Sequence, residues 1–381
     1  MRVLIVSDGY PQNPTSINGI FPLDQAKALQ HLNVDVILAS VDLRSVRRRR
    51  KLGLYWDEKD GIKIINYSFP LGRFPLKVLS YVGKKVLLRI YKEVINKYGE
   101  PDLAHAHFLV IGNIATILKE KFNLPLIITE HSSAINKNKL PEKIIKLGNE
   151  TYFKIDFLIS VSSRLASRIK YFWDIDSIVI PNIVDTNIFK YHKRKICDKD
   201  TFTFLSVGRI DFNKGFDILI PAFKKADFGT KVSLKIVGKG EYEEELLEII
   251  KREELTEQIE LIGSLNRKEI ADLMKECDAF VLASRSETFG VVYIEALAAG
   301  LPVIATKCGG PEDFIDYFNG ILVPIDDVDS LSKALLQMYD NVDNFDKKKI
   351  SNDCKNRFAP LAVASQLYDV YTNVLHSNRN K

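Results

Sequence analysis

The chain has 381 residues, of which 46% are hydrophobic and 27% are charged, and its formal net charge is +5. This balance is typical of globular proteins and excludes the collagen-like, coiled-coil and disordered classes. At about 150 residues per domain, the length predicts two domains rather than one small binding module. No apolar run reaches the ~20 residues of a membrane-spanning helix, and the first residues lack the layout of a signal peptide. We therefore expect a cytosolic protein.

The cysteines give no sign of a disulfide framework or a zinc site. They are scattered along the chain, without a C-x-x-C pair and without a histidine at metal-ligand spacing, at Cys197, Cys277, Cys308 and Cys354. In a cytosolic protein this pattern predicts reduced thiols.

Positive charge is concentrated in the front half of the chain. Residues 1–180 hold 27 Lys and Arg against 17 Asp and Glu, a net +10, whereas residues 181–381 hold 27 against 32, a net −5. Much of the excess lies in Arg47–Lys51 and in a predicted amphipathic helix over 75–99. Two interpretations stay open for this helix: its lysines form a solvated face, or they meet an anionic membrane surface. Nucleic acid is not an expected partner, because stacking aromatic residues are not interleaved with the basic ones.

Short β-branched runs alternate with helical patterns in chain order. In the front half, strands are predicted at 2–6, 34–39, 103–106, 126–129 and 157–161, with helices at 21–32, 75–99, 113–122 and 142–153. In the back half, strands are predicted at 202–207, 233–237, 260–262, 279–282 and 302–305, with helices at 215–225, 241–254, 268–277, 291–299 and 330–339. A polar linker is predicted near 181–200 and a last amphipathic helix at 360–376. The alternation favours β-α-β units and so predicts two α/β sheets in series.

The densest chemical signal follows the predicted strand at 279–282. The loop 287–290 leads into a helix, and Glu295 lies one turn inside that helix. Unpaired N–H groups at a helix start can bind a phosphate, and Gly290 permits a close approach to the backbone. Glu287 and Glu295, eight positions apart across this junction, are hard to explain by packing alone.

A second candidate site follows the strand that is predicted to end at Gly208. Arg209 and Lys214 flank a turn that opens the next helix. Ligands gather at the carboxyl ends of parallel strands, and two cations at such an edge suit a diphosphate.

Two weaker signals lie in the front half. Gly19 precedes the first helix and fits either a phosphate-facing loop or an ordinary turn. Three histidines stand at predicted strand ends, where an imidazole can hydrogen-bond a sugar hydroxyl or stabilise charge, namely His105, His107 and His131. For each of them an internal, fully hydrogen-bonded histidine is the alternative.

Together these motifs resemble glycosyltransferase family 4, a retaining class with two Rossmann-like domains that face each other across a cleft, the GT-B arrangement. The residues that carry the resemblance are Val207-Gly-Arg209 with Lys214-Gly215, Ile236-Val-Gly238 with Gly240, Ser286–Gly290, and Glu295 through Gly300 to Ile304. The Glu287 to Glu295 spacing is the family's E-x7-E pattern. Thr129-Glu-His-Ser and Ala104-His-Ala-His-Phe resemble bacterial members that build cell-surface polysaccharides.

The resemblance implies roles for the residues of the back half. Arg209 and Lys214 would bind the donor diphosphate, and Glu295 would hold the ribose. Glu287 would contact the donor sugar together with the backbone of Thr288, Phe289 and Gly290. The base would lie near Gly263, Ser264 and Leu265, in the slot below Gly238. Gly208 would also belong to the donor-binding residues.

The resemblance also implies a division of labour between domains. An acceptor-side domain would span 1–180, a linker 181–200 and a nucleotide-sugar domain 201–359, with the helix 360–376 packing back on the first domain. From the first domain, Gly19 would lie near the distal phosphate, and His131 would line the donor-sugar or acceptor pocket.

The implied function is a retaining transfer of sugar from a nucleotide-diphosphate sugar to a lipid-linked or polysaccharide acceptor on the inner face of the cell membrane. No cofactor is expected besides this co-substrate. We also expect no metal, because Arg209, Lys214 and a helix start supply positive charge and no Asp-x-Asp motif lies in a suitable loop. The alternatives are a nucleotide-sugar epimerase or a phosphorylase of the same architecture, and a catalytically silent subunit that binds a sugar nucleotide.

Overall fold

The computed structural model describes residues 1–13, 18–45, 47, 50–72, 74–137, 139–193 and 201–379. Two compact units are present: one comprises Met1–Ile183 with Pro360–Lys381, and the other comprises Val184–Ala359. Part of the predicted linker, residues 194–200 with Cys197, lies outside the described residues, as do Arg48 and Arg49.

The described part of the first unit is built on an eight-stranded sheet. Its strands are β1 (Arg2–Ser7), β2 (Asp35–Asp42), β3 (Gly53–Lys59), β4 (Ile62–Ser68), β5 (Leu103–His107), β6 (Leu126–Glu130), β7 (Phe157–Ser160) and β8 (Ile178–Val179). They lie in the order β3-β4-β2-β1-β5-β6-β7-β8 and pair in parallel except for β3 with β4. The helices are α1 (Ile20–Gln30), α2 (Leu76–Tyr98), α3 (Leu109–Phe122), α4 (Glu142–Tyr152) and α5 (Ser163–Trp173).

The β3–β4 hairpin is an addition to the predicted elements, since no element was expected over residues 53–68. Asp60 and Gly61 form its two-residue turn with φ values of 51° and 77°. Two positive φ values in a two-residue connection match the twist of antiparallel strands, and Asp-Gly is a preferred sequence for this turn.

The described part of the second unit is built on a six-stranded parallel sheet. Its strands are β9 (Phe202–Val207), β10 (Val232–Val237), β11 (Ile259–Gly263), β12 (Ala279–Leu282), β13 (Val303–Thr306) and β14 (Gly320–Val323), in the order β11-β10-β9-β12-β13-β14. Its helices are α6 (Phe216–Ala226), α7 (Glu243–Arg252), α8 (Arg267–Met274), α9 (Val291–Ala298), α10 (Val328–Asn341) and α11 (Lys347–Phe358).

Both sheets confirm the predicted α/β class with two Rossmann-like domains. In each sheet the strand order reverses beside the first strand, so that β1 lies between β2 and β5, and β9 lies between β10 and β12. The loops that leave adjacent strands in opposite directions open a crevice at this point, which is where ligands bind in such sheets. Within the described ranges, no helix is both long enough and apolar enough to span a membrane.

The last helix, α12 (Pro360–Arg379), belongs to the first unit and packs against α1. Its buried face includes Val363 and Leu367, which join the apolar core under β1 and β2. The buried Tyr371 hydroxyl hydrogen-bonds Nδ1 of His105 at 2.7 Å, and Nε2 of His105 hydrogen-bonds Thr129 Oγ1 at 2.7 Å. The helix is therefore attached to the sheet by polar as well as apolar contacts.

The predicted amphipathic helix is present as α2, with its apolar face on the core. Val86, Leu87, Ile90 and Val94 are buried, whereas the exposed lysines include Lys85.

Arg50 departs from the expectation that Arg47–Lys51 as a whole presents charge to a surface. Its side chain is 1% exposed and lies 2.7 Å from the buried carboxylate of Asp42. It also donates hydrogen bonds to Ser68 Oγ and to the backbone oxygens of Arg44 and Ser45. Because a buried carboxylate needs a cationic partner, Arg50 serves the interior of the first unit.

Three buried histidines are stacked at the carboxyl ends of β5 and β6. The ring centroids of His105 and His107 are 4.7 Å apart, and those of His107 and His131 are 5.2 Å apart. Nδ1 of His107 and Nε2 of His131 are hydrogen-bonded at 3.0 Å. Burial lowers the pKa of His105 and of His131 to about 3, and it holds the pKa of His107 well below the ordinary value. All three imidazoles are therefore neutral at pH 7.

This cluster predicts that the first unit loses stability as the pH falls below about 6.5. Below this pH the histidines of the unfolded chain become protonated, whereas those of the folded cluster stay neutral. Each histidine should therefore lower the free energy of unfolding by about 2 kcal/mol at pH 5. Urea unfolding followed by tryptophan fluorescence isolates the effect, because both tryptophans, Trp56 and Trp173, lie in the first unit. The unfolding free energy of the His105→Phe variant should depend less steeply on pH. In the control His31→Gln, at an exposed site, this pH dependence should be unchanged. An equal slope in His105→Phe and wild type would contradict the assignment.

Candidate functional site

The turn that follows β9 brings Lys214 against the end of β12. Lys214 closes a short 3-10 turn, Phe212–Lys214, and Gly215 follows with a φ of 65°. A Cβ atom on Gly215 would lie 2.0 Å from the backbone oxygen of Ala283. Only glycine combines this left-handed conformation with so close an approach, and it thereby seats the turn on the loop after β12.

Lys214 and Glu287 form an ion pair at the centre of this region. Lys214 Nζ lies 2.5 Å from Glu287 Oε1, and the Ser284 hydroxyl donates to the same oxygen at 2.8 Å. The side chains of Lys214 and Glu287 are only 19% and 12% exposed. The lysine stem runs along Gly208, where a Cβ atom would lie 3.4 Å from its carbons. Partial removal from water strengthens this charge-assisted hydrogen bond.

The loop 287–290 is held by backbone contacts on both sides. The Glu287 N–H donates to Cys308 O at 3.2 Å, and the Gly310 N–H donates to Glu287 O at 3.0 Å. The buried Phe289 ring packs on Phe314 with centroids 5.1 Å apart, so its side chain belongs to the core. Half-buried Thr288 and Gly290, which precedes α9, complete the loop. What this loop offers a ligand is mainly backbone.

Glu295 is buried inside α9 and has a cationic partner that the sequence patterns did not reveal. Arg267 Nε donates to Glu295 Oε1 at 3.2 Å. Arg267 is the first residue of α8, directly after Asn266, whose side chain caps the helix. The two glutamates of the E-x7-E pattern thus each pair with a cation, Glu287 with Lys214 and Glu295 with Arg267.

The ends of β9, β10 and β11 bring three glycines into one row. The Gly208 N–H donates to Val237 O at 3.0 Å, and the Gly238 N–H donates to Gly263 O at 2.9 Å. Exposed Ser264 and half-buried Leu265 continue from Gly263. The row leaves the backbone accessible at an edge of the sheet where a flat group can approach.

Arg209 lies on the same loop as Lys214 but its side chain points to other partners. Its Nε donates to Asp211 Oδ2 at 2.8 Å, and Nη2 lies 3.4 Å from Glu241 Oε1. The side chain is 65% exposed. Exposed pairs of this kind contribute little free energy, so a ligand can replace them at low cost.

Gly19 and His131 lie in the first unit, as do the candidates His105 and His107, whereas the other predicted site residues lie in the second. Gly19 has a φ of 69°, and a Cβ atom there would lie 2.1 Å from Gly9 O, so the first loop requires glycine at this position. The buried His131 ring stacks on Phe21 with centroids 5.4 Å apart and parallel planes.

Glu130 holds the backbone at His131 in place by hydrogen bonds. It is not among the predicted site residues. Its buried carboxylate accepts hydrogen bonds from the N–H groups of His131 at 3.0 Å and Ser132 at 2.8 Å, and from the Tyr152 hydroxyl at 2.8 Å. Burial raises the pKa of Glu130, and these hydrogen bonds oppose that shift. Its position between a buried strand and a candidate histidine was the signal that could have identified it.

Both halves of the chain match known glycosyltransferase families. Residues 21–188 match the family described as Glycosyltransferase Family 4, and residues 187–356 match Glycosyl transferases group 1. The uncharacterized glycosyltransferase MJ1178 of Methanocaldococcus jannaschii is 32% identical over 263 residues, which are 66% of this chain and 69% of that protein. The putative teichuronic acid biosynthesis glycosyltransferase TuaC of Bacillus subtilis is 24% identical over 355 residues, 88% of each chain.

A solved structure extends the likeness to the fold of the whole chain. Anabaena HepE in complex with UDP and glucose superposes with a TM-score of 0.74 and 17% identity, covering 98% of this chain and all of that one. The chain belongs to glycosyltransferase family 4, and it is a glycosyltransferase of the GT-B type, built from two Rossmann-like domains.

Proposed function

We propose that this chain transfers a sugar, with retention of configuration, from a nucleotide-diphosphate sugar to a lipid-linked or polysaccharide acceptor in cell-surface glycan synthesis. The pairing of Lys214 with Glu287 at 2.5 Å is the observation that carries the proposal. In a nucleotide sugar, an anionic diphosphate is bonded directly to a hydroxyl-rich ring. A neighbouring ammonium and carboxylate match these two parts, since one binds phosphate oxygens and the other accepts hydroxyl hydrogen bonds.

The relatives support both substrate classes. HepE was solved with UDP and glucose, which favours a nucleotide sugar as donor. TuaC is named for teichuronic acid biosynthesis, which favours a glycan acceptor.

In this proposal the second unit binds the donor. Lys214 and Arg209 neutralise the diphosphate, with the backbone of Gly290 adding N–H donors at the start of α9. Glu295 accepts hydrogen bonds from the ribose hydroxyls, and the base lies over the glycine row that ends at Gly263. Arg209 exchanges its exposed contacts to Asp211 and Glu241 for phosphate oxygens. In the first unit the imidazole of His131 is neutral, and its low pKa suits hydrogen bonding to a hydroxyl group rather than proton donation.

During the reaction negative charge develops on the leaving diphosphate, where the cations Lys214 and Arg209 are proposed to act. The bond between the anomeric carbon and the diphosphate oxygen breaks, and its electron pair leaves with the phosphate. The acceptor hydroxyl oxygen bonds to the same face of that carbon, and its proton passes to the leaving phosphate oxygen. Preorganised positive charge from Lys214 and Arg209 stabilises the diphosphate as this happens.

Replacing Lys214 with Met should lower sugar transfer by about 100-fold or more, because one preorganised donor to a developing anion typically contributes that much. The assay incubates purified protein with UDP-, ADP- and GDP-sugars and a lipid-linked glycan acceptor. Arg209→Ala should also lower turnover. Lys225→Met is the matched control, because Lys225 is an exposed lysine of the same unit that pairs with Asp329.

Unchanged turnover in Lys214→Met and Arg209→Ala would remove the assignment of the diphosphate to these side chains. The same product, examined by proton NMR, reports the anomeric configuration. A product whose anomeric configuration is inverted relative to the donor would contradict retention. Donor hydrolysis or epimerisation without transfer would favour the alternative activities.

Catalysis by these cations should need no divalent metal. We expect transfer rates within about twofold of the untreated enzyme after extensive dialysis against EDTA, since the arginine, the lysine and the helix start provide the charge. Added magnesium or manganese should have no effect. Loss of transfer in EDTA with recovery on adding either ion would show that a metal takes part.

We further propose that the first unit associates with an anionic membrane surface through the exposed face of α2. One exposed aromatic side chain lies among the basic ones there: Tyr81 is 61% exposed, and Lys85 Nζ lies 4.4 Å from the centre of its ring. Other exposed apolar side chains lie before or at the start of α2, namely Phe69, Phe74 and Val78. Aromatic rings favour the headgroup region, and each nearby lysine adds about 1 kcal/mol on an anionic leaflet. Arg50 takes no part, because it is buried on Asp42.

Replacing Lys77, Lys85 and Lys92 together with Gln should weaken binding to phosphatidylglycerol-containing vesicles by about 100-fold, because three contributions of about 1 kcal/mol are lost. Vesicle sedimentation measures the partitioning. The control replaces three exposed lysines of the second unit, Lys224, Lys231 and Lys251, with Gln. Equal partitioning of the two triple variants would contradict an oriented contact through α2.

A further inference from the structure

The side chain of Arg285 joins three segments of the second unit beside the candidate donor site. Its Nη1 and Nη2 atoms donate to the two carboxylate oxygens of Asp217 on α6 at 2.9 and 2.7 Å. Its Nε donates to Asp326 Oδ1 at 2.7 Å, in the loop before α10. Nη1 also donates to the backbone oxygen of Phe212. Four of its five N–H bonds are thus directed at acceptors, and the side chain is 14% exposed.

These contacts converge on the turn that carries Lys214. Phe212 is the first residue of that turn, and the guanidinium carbon of Arg285 lies 3.8 Å from the centre of its ring. The backbone N–H of Arg285 donates to the backbone oxygen of Asn213 at 2.7 Å. The side-chain amide of Asn213 donates to the backbone oxygen of Ser286 at 2.9 Å. Two hydrogen bonds of Asn213 therefore connect the turn to the loop that bears Glu287, one with Arg285 and one with its neighbour Ser286.

None of the contacts of Arg285 involves Lys214 itself. Lys214 is bonded to Glu287 on the next loop, and its own backbone N–H is bonded to Asp211 O at 3.1 Å. The position of its ammonium consequently depends on where the turn is held, and Arg285 holds the turn by charge, stacking and backbone hydrogen bonds at once.

We propose that Arg285 is a positioning residue for Lys214, which fixes the turn 211–215 against the loop 284–287 so that the ammonium meets the donor diphosphate. This inference rests on the proposed donor role of Lys214. The planar fork of arginine is required, because a lysine cannot bond both oxygens of Asp217 while also reaching Asp326 and stacking on Phe212.

The test measures nucleoside diphosphate binding by calorimetry, using whichever of UDP, ADP and GDP binds the full-length wild type most tightly. Arg285→Met and Arg285→Lys should each raise the Kd about tenfold, since small displacements of a binding group are costly. Asp326→Ala, which removes one contact and leaves the fork on Asp217, should raise it about threefold. Arg252→Met, a change at an exposed arginine on α7, is the control and should leave the Kd unchanged. Circular dichroism establishes that each variant is folded.

A double-mutant cycle distinguishes positioning from general support of the fold. If Arg285 acts through Lys214, the Lys214→Met and Arg285→Met double variant should bind no more weakly than Lys214→Met alone. Losses that multiply in the double variant would overturn the inference, as would wild-type binding in the folded Asp326→Ala and Arg285→Lys variants. If Lys214→Met binds as the wild type does, or if wild type binds none of the three diphosphates, the proposed donor role fails first and this inference falls with it.

Discussion

The ion pair between Lys214 and Glu287 is the interaction around which the second unit's candidate site is arranged. It joins the loops that leave β9 and β12, the two strands between which the strand order reverses. Each partner needs the other, because an isolated charge at 12–19% exposure would be costly. The surrounding features serve to hold the pair: Gly215 lets the turn approach Ala283, and Ser284 supplies a second donor to the carboxylate. In the proposed function, a donor molecule would meet opposite charges that are already in place.

Much of this site was predictable because it consists of two stretches, and within each stretch the residues are close in sequence. The E-x7-E spacing and the Gly208–Lys214 stretch both follow buried strands, and parallel sheets collect the carboxyl ends of their strands at one edge. Arg267 and Arg285 could not be found in this way. Their partners Glu295 and Asp217 lie 28 and 68 residues away, and no local period encodes which helix faces which loop.

The fold divides differently, into features that a helical period indicates and features that it does not. The α2 helix and its buried face followed from helical periodicity. The β3–β4 hairpin is not among the predicted elements although Asp60-Gly61 is a strong turn signal, because neither GLYWDEK nor IKIINYS alternates strictly between apolar and polar residues. The prediction groups Arg50 with its basic neighbours at a surface, yet Arg50 pairs with the buried Asp42 at the end of β2. For the histidines, sequence left two alternatives open; His105 is the internal kind, bonded to Tyr371 and Thr129 on both ring nitrogens.

The docking of α12 on the first unit has a consequence for biosynthesis. Residues from Pro360 onward supply part of the core under β1 and β2, so the first unit lacks an apolar wall until the ribosome has made the entire second unit. At about 5–20 residues per second this interval lasts roughly 10–35 s. During that time the nascent first unit exposes the surface that α12 later covers, which makes it a natural client for chaperones that bind apolar patches.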